Sequence, residues 1–127
     1  WRKLKRMIRF PRRWDAITCI NYLQRKIILN SIAYYIYDKS FVSDSYFDEM
    51  SHQLVQMQKD FSGNLKTDTE YGYMMYDFDG STGFDLPDRL FPSDKDYLTQ
   101  MTEYYIHRQE KSKPVKKITK TGRRKLF

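Results

Sequence analysis

Cysteine is almost absent from this sequence: Cys19 stands alone among 127 residues. A disulfide framework within the chain is excluded, and a reducing, intracellular setting, cytoplasmic or nucleoid-associated, is the simpler expectation. With no second thiol to share a metal or a bond, Cys19 reads as a small apolar packing residue. Histidine is nearly as scarce. His52 and His107 lie far apart, with no Cys or Glu-x-x-His pattern beside either, so both read as ordinary surface or half-buried residues. No apolar run approaches the roughly 18–20 residues that a membrane-spanning helix needs. The basic N-terminus lacks the apolar centre and small-residue site of a signal peptide. The first residue is Trp1 rather than Met, so the chain is read as trimmed or incomplete at its start. Internal repeats are also missing.

Aromatic rings and separated charge are abundant. Hydrophobic residues make up 40% and aromatics 17%, with 11 Tyr, enough for one domain with a modest core and for half-buried rings with polar tips. The net charge of +7 is unevenly spread. Residues 1–37 carry nine Lys/Arg against Asp15 alone, and residues 106–127 carry nine against Glu110, each end summing to +8. Residues 38–105 hold 14 acidic side chains against five basic ones, a charge of −9. Two cationic ends thus flank an anionic body. Three uses are open: the arms lie on the body, they meet an external polyanion such as nucleic acid, or the body docks on a cationic protein.

The chain divides into a basic aromatic arm at 1–14, a mainly helical domain at 15–110 and a basic tail at 111–127. The arm interleaves seven cations with Trp, Leu, Met, Ile and Phe, and Pro11 ends any helix formed by Leu4, Met7 and Ile8. Asp15 is the N-cap expected for a first long helix. Ile17, Ile20, Leu23, Ile27, Ile28, Ser31 and Tyr34-Tyr35 continue down to Tyr37 at about 3.6-residue spacing, with Gln24, Arg25 and Lys26 facing away. After a short polar corner, Ser43 caps a second helix and Asp44 occupies its first turn. Phe47, Met50, Leu54, Met57 and Phe61 then form one apolar stripe. The result is a helical hairpin over 15–60.

Residues 61–92 read as an irregular or strand segment. Asp60 to Thr69 is loop by composition. The alternation Y-G-Y-M-M-Y-D-F over 71–78 predicts one or two short strands, and Asp79-Gly80 a turn. Pro87 opens a short helical turn. Ser93, with Asp96 as the capping-box acid, starts a last helix over 93–110. The expected fold is mainly α with a minor β element: a helical hairpin plus a C-terminal helix, with basic arms at both ends.

The corner carries a more specific pattern. The order Tyr34-Tyr35, Asp38, Val42-Ser43-Asp44, Phe47-Asp48 resembles the N-terminal helical domain of bacterial NAD-dependent DNA ligases. The resemblance covers about residues 15–60. In that family such a domain holds the nicotinamide mononucleotide half of NAD, and carried over by position it implies Tyr34, Tyr35, Asp44, Phe47 and Asp48 as ligand-binding residues. Phe47 stands where the family has Tyr, and Ser40 where it usually has Pro. No Lys-x-Asp-Gly for lysine adenylation occurs anywhere in the 127 residues, so they do not make a complete ligase.

Asp77-Phe78-Asp79-Gly80-Ser81-Thr82 is similar to the opening motif of haloacid-dehalogenase-type phosphotransferases. That chemistry also needs a doubly wound sheet, a distant Lys and further acids, and only 45 residues follow Thr82. Asp77, Asp79, Ser81, Asp85 and Asp88 fall at EF-hand-like offsets without the Gly at position six or the final Glu. No enzyme, cofactor or metal is therefore expected, apart from the nicotinamide mononucleotide or NAD that the resemblance implies. The leading expectation is a non-catalytic protein acting on nucleic acid or on a nucleic-acid-handling complex, with the architecture of a phage-type inhibitor or modulator. Its cations are Arg2, Lys3, Lys5, Arg6, Arg9, Arg12 and Arg13 on the arm, and Lys116, Lys117, Lys120, Arg123, Arg124 and Lys125 on the tail. A nicotinamide mononucleotide- or NAD-binding module and a structural subunit of a ribonucleoprotein are the alternatives.

Overall fold

A computed structural model describes residues 8–81 and 83–112. The hairpin forms where its caps and apolar periods place it. Helix α1 runs Ala16–Tyr37, and the Asp15 carboxylate accepts hydrogen bonds from Thr18 N at 2.9 Å and Thr18 Oγ1 at 2.7 Å. Asp38 ends it in the left-handed region (φ 56°), which Asp tolerates better than most residues, and the Lys39 N–H then closes on the Ala33 carbonyl at 2.9 Å. Helix α2, Asp44–Asp60, starts on the Ser43 hydroxyl, which accepts from Tyr46 N at 3.1 Å. Ile20, Leu23, Ile27, Ile28 and Ile32 of α1 meet Met50 and Leu54 of α2 in one buried cluster.

Among the described residues four further helices follow: α3 at Leu65–Asp68, α4 at Gly72–Met75, α5 at Leu86–Arg89 and α6 at Pro92–Ser112. Helices α2, α5 and α6 all pack on α1, making it the central rod. On α6, Leu98 enters the core, and the Tyr37 hydroxyl of α1 donates to Glu103 at 2.6 Å. That bond, together with desolvation, pushes the Tyr37 hydroxyl up to about 12. Helix α6 begins one residue before the expected cap, so Ser93 lies inside it. The Tyr73 hydroxyl braces this start: it donates to Asp94 at 2.6 Å and accepts from Phe91 N at 3.1 Å, while the Tyr73 and Phe91 rings stack at 4.0 Å.

The expected β element does not form. Among the described residues there is no strand, and 71–78 is one helical turn followed by turns. Its buried members are Tyr71, Met74, Met75 and Phe78, spaced three, one and three apart, which is a helical period beneath an apparent alternation. Backbone polarity here is satisfied by local bonds, such as Met75 N to the Tyr71 carbonyl at 2.9 Å and Phe78 N to the Met75 carbonyl at 3.0 Å, and by side chains from the hairpin. Gln24, expected to face solvent, is 0% exposed. Its Nε2 donates to Gln58 Oε1 at 2.9 Å and to Thr69 Oγ1 at 3.1 Å, and its Oε1 accepts from Tyr71 N at 3.0 Å. Gln58 Nε2 in turn donates to the Met75 carbonyl at 2.9 Å. Two glutamines thus bind the 61–78 segment to the hairpin. Gln24→Leu leaves the Tyr71 N–H and the Gln58 carbonyl oxygen buried without this partner, and is expected to cost about 1–3 kcal/mol. Urea unfolding measures it; a loss under about 0.5 kcal/mol would mean that the network contributes little to stability.

The last residues of the N-terminal arm also dock. Ile8 N donates to Gln53 Oε1 at 2.7 Å and the Ile8 carbonyl accepts from Gln53 Nε2 at 3.0 Å. Phe10, Trp14 and Tyr22 form a three-ring cluster with centroids 5.8 Å apart. Among the described residues, no helix is long and apolar enough to cross a membrane.

Candidate functional site

The hairpin corner opens into a cleft of about 510 Å³. Its walls hold all five residues singled out at the corner: Tyr34 and Tyr35 from the last turns of α1, and Asp44, Phe47 and Asp48 from the first turns of α2. The geometry follows from the caps. The left-handed Asp38 turns the chain away from α1 just beyond the tyrosines, and the Ser43 cap starts α2 so that Asp44 and Asp48 share one face. Tyr34 and Tyr35 are 52% and 44% exposed, with rings meeting edge to face at 4.8 Å and 89°. Phe84 extends this aromatic surface, edge-on to Tyr35 at 6.4 Å. Phe47 is half-buried between the core and the cleft.

Among the described residues that line the cleft, charge has one sign. Asp44 and Asp48 are exposed, and neither is seen in a hydrogen bond or ion pair among the described residues. Ser43, not Asp44, provides the side-chain cap. Two carboxylates one helical turn apart cost a helix roughly 0.2–0.5 kcal/mol, a repulsion that a bound cation would relieve. The other polar lining is neutral: Asn30, Ser31, Ser40 and Ser81. Ser31 is 1% exposed, and its Oγ has no hydrogen-bond partner.

The back wall comes from a part of the chain that the corner pattern does not cover. Gly80 and Ser81 reach the cleft from the turn after Phe78. Gly80 takes φ 86°, open to glycine at no steric cost, and Ser81 N donates to Asp79 Oδ1 at 3.0 Å. Those Ser81 contacts hold the Asp79 carboxyl below its ordinary range. The Asp79-Gly80 dipeptide marks the turn in the sequence, but nothing local signals that it closes onto residues 30–48. The neighbouring acids have other partners: Asp77 accepts from Arg89 Nη2 at 2.8 Å, and Asp88 lies 3.4 Å from Lys95 Nζ. Among the described residues no group of three His, Cys, Asp or Glu converges to hold a metal. His52 and His107 are exposed, and Cys19 is buried, with desolvation raising its thiol.

Of the expected nucleic-acid contacts, Arg9, Arg12 and Arg13 are described and exposed, Arg12 and Arg13 lying in the turn that the Trp14 N–H closes on the Pro11 carbonyl at 3.0 Å. Arg2, Lys3, Lys5, Arg6, Lys116, Lys117, Lys120, Arg123, Arg124 and Lys125 lie outside the described residues, as do Leu4, Met7 and Thr82. No protein-family model matches the chain, and neither a curated protein nor a solved structure does.

Proposed function

We propose that this chain is a non-catalytic, intracellular binding module whose hairpin corner takes the nicotinamide–ribose portion of nicotinamide mononucleotide or NAD. The observation that supports the reading is the convergence of Tyr34, Tyr35, Asp44, Phe47 and Asp48 on one cleft. The volume of about 510 Å³ is in the ordinary range for small-molecule sites. Carboxylates accept hydrogen bonds from ribose hydroxyls, and the tyrosine rings offer faces to a flat cationic ring. Phe47 supplies apolar area without the hydroxyl of the ligase-type residue. The test is calorimetry with millimolar mononucleotide. Saturable heat is expected from the unmodified protein and none from Asp48→Asn. Because Asp48 is exposed, its substitution is expected to shift stability by less than about 0.5 kcal/mol. Equal binding by the variant would remove Asp48 from the site.

A second reading, contact with nucleic acid or a nucleic-acid-handling complex, is favoured by the exposed Arg9, Arg12 and Arg13 beside an arm root clamped by Gln53. Phosphate contacts by these arginines and the remaining arm and tail cations imply a steep salt dependence, with a slope of roughly −0.7 to −0.9 per neutralised phosphate. Deleting residues 111–127 is expected to weaken binding while leaving the helical body folded. A binding constant that does not change between low and moderate salt contradicts this reading.

A further inference from the structure

We infer that the cleft selects a cationic ribosyl-pyridinium without a phosphate over its phosphorylated form. The inference rests on the reading of the cleft just proposed and names the ligand's charge state. Among the described lining residues the only charges are the carboxylates of Asp44 and Asp48; none is Lys, Arg or His. Lys39, next to Ser40 in the corner, has its ammonium 3.3 Å from Glu110 on α6. The hydroxyls of Ser40 and Ser81 can exchange hydrogen bonds with ribose hydroxyls or a carboxamide, but bring no charge to offset a phosphate dianion. A ring with one positive charge gains from both carboxylates and from the exposed tyrosine faces. A phosphate on the same ribose brings two negative charges toward the same carboxylates and loses much of that gain.

Ser31 also lines the cleft, but its Oγ is buried against Gly83 and adds neither charge nor an open hydrogen-bonding group.

The full chain is titrated by calorimetry at pH 8, where the phosphate is a dianion, with nicotinamide riboside and with nicotinamide mononucleotide. His52 stands one turn beyond Asp48, its Cδ2 at 3.7 Å from where a Cβ at Gly80 would lie. Both titrations are therefore repeated in His52→Ala, which removes any imidazolium from the comparison. The riboside is expected to bind about tenfold more tightly or better. Asp44→Asn is expected to weaken the riboside more than the mononucleotide. Equal affinities, or a tighter mononucleotide, would overturn the inference and leave the cleft reading standing. Binding of neither ligand would remove the cleft reading, and the inference with it.

Discussion

Leu54→Ala is expected to cost about 2–5 kcal/mol in stability, the range for emptying a fully buried leucine site. Leu54 is 0% exposed and belongs to the cluster that holds Ile20, Leu23 and Ile27 of α1. The deletion opens a cavity between the two rods of the hairpin, where helical backbones on both sides limit collapse. The midpoint of urea unfolding, with its slope checked for constancy, is the measurement. A loss below about 0.5 kcal/mol would mean that the α2 stripe does not face α1, and the cleft between the two helices would lose its basis.

Gly72→Ala is expected to be comparably damaging, by about 3 kcal/mol or more, against the ordinary helical preference. Within a helix, alanine gains about 0.8–1 kcal/mol over glycine. At the start of α4 that gain is overwhelmed: a methyl on Gly72 would overlap the backbone carbonyl of Leu65 and the Thr69 hydroxyl. The carbonyl cannot turn aside without unwinding α3. Moving Thr69 would break its 2.6 Å bond to Leu65 O and its 3.1 Å bond from Gln24. Gly63→Ala is the comparison, since the nearest atoms to the added methyl there belong to side chains, the Phe61 ring and the Asp68 carboxylate, whose displacement costs at most the carboxylate's 3.0 Å bond from Asn64 N. If Gly72→Ala were as mild as Gly63→Ala, the close approach of α3 and α4 would be refuted.

These two substitutions mark the boundary of what the sequence made legible. The hairpin was readable because its determinants are local: Asp15 and Ser43 cap, Met50 and Leu54 repeat at helical spacing, and the polar corner separates two apolar runs. Residues 61–92 were not, because their conformation depends on distant partners. Gln24 looks outward-facing on any polarity scale, yet it holds the Tyr71 N–H 47 positions away and turns an apparent strand into a single helical turn. The corner residues could be named from their order alone. That they share a cavity required the turn at Gly80 and Ser81, whose approach is a tertiary contact without a local signature. Ser31 escaped for a related reason: as one member of the apolar face of α1, it could not be recognised as an unpaired hydroxyl until Gly83 was packed against it.

The measurement that bears most directly on the cleft is a titration of isotope-labelled protein with millimolar nicotinamide mononucleotide, followed by amide chemical shifts. Mass binding elsewhere would not reproduce its pattern. Binding in the cleft predicts shifts at Tyr34, Tyr35, Asp44, Phe47 and Asp48 together with Gly80 and Ser81, the last two being far away in sequence and close only in this fold. Amides of α6 from Tyr104 to Glu110 should stay in place. Unchanged spectra with the mononucleotide and with nicotinamide riboside alike, or shifts that leave both Gly80 and the corner untouched, would contradict the assignment of this cleft as the ligand site.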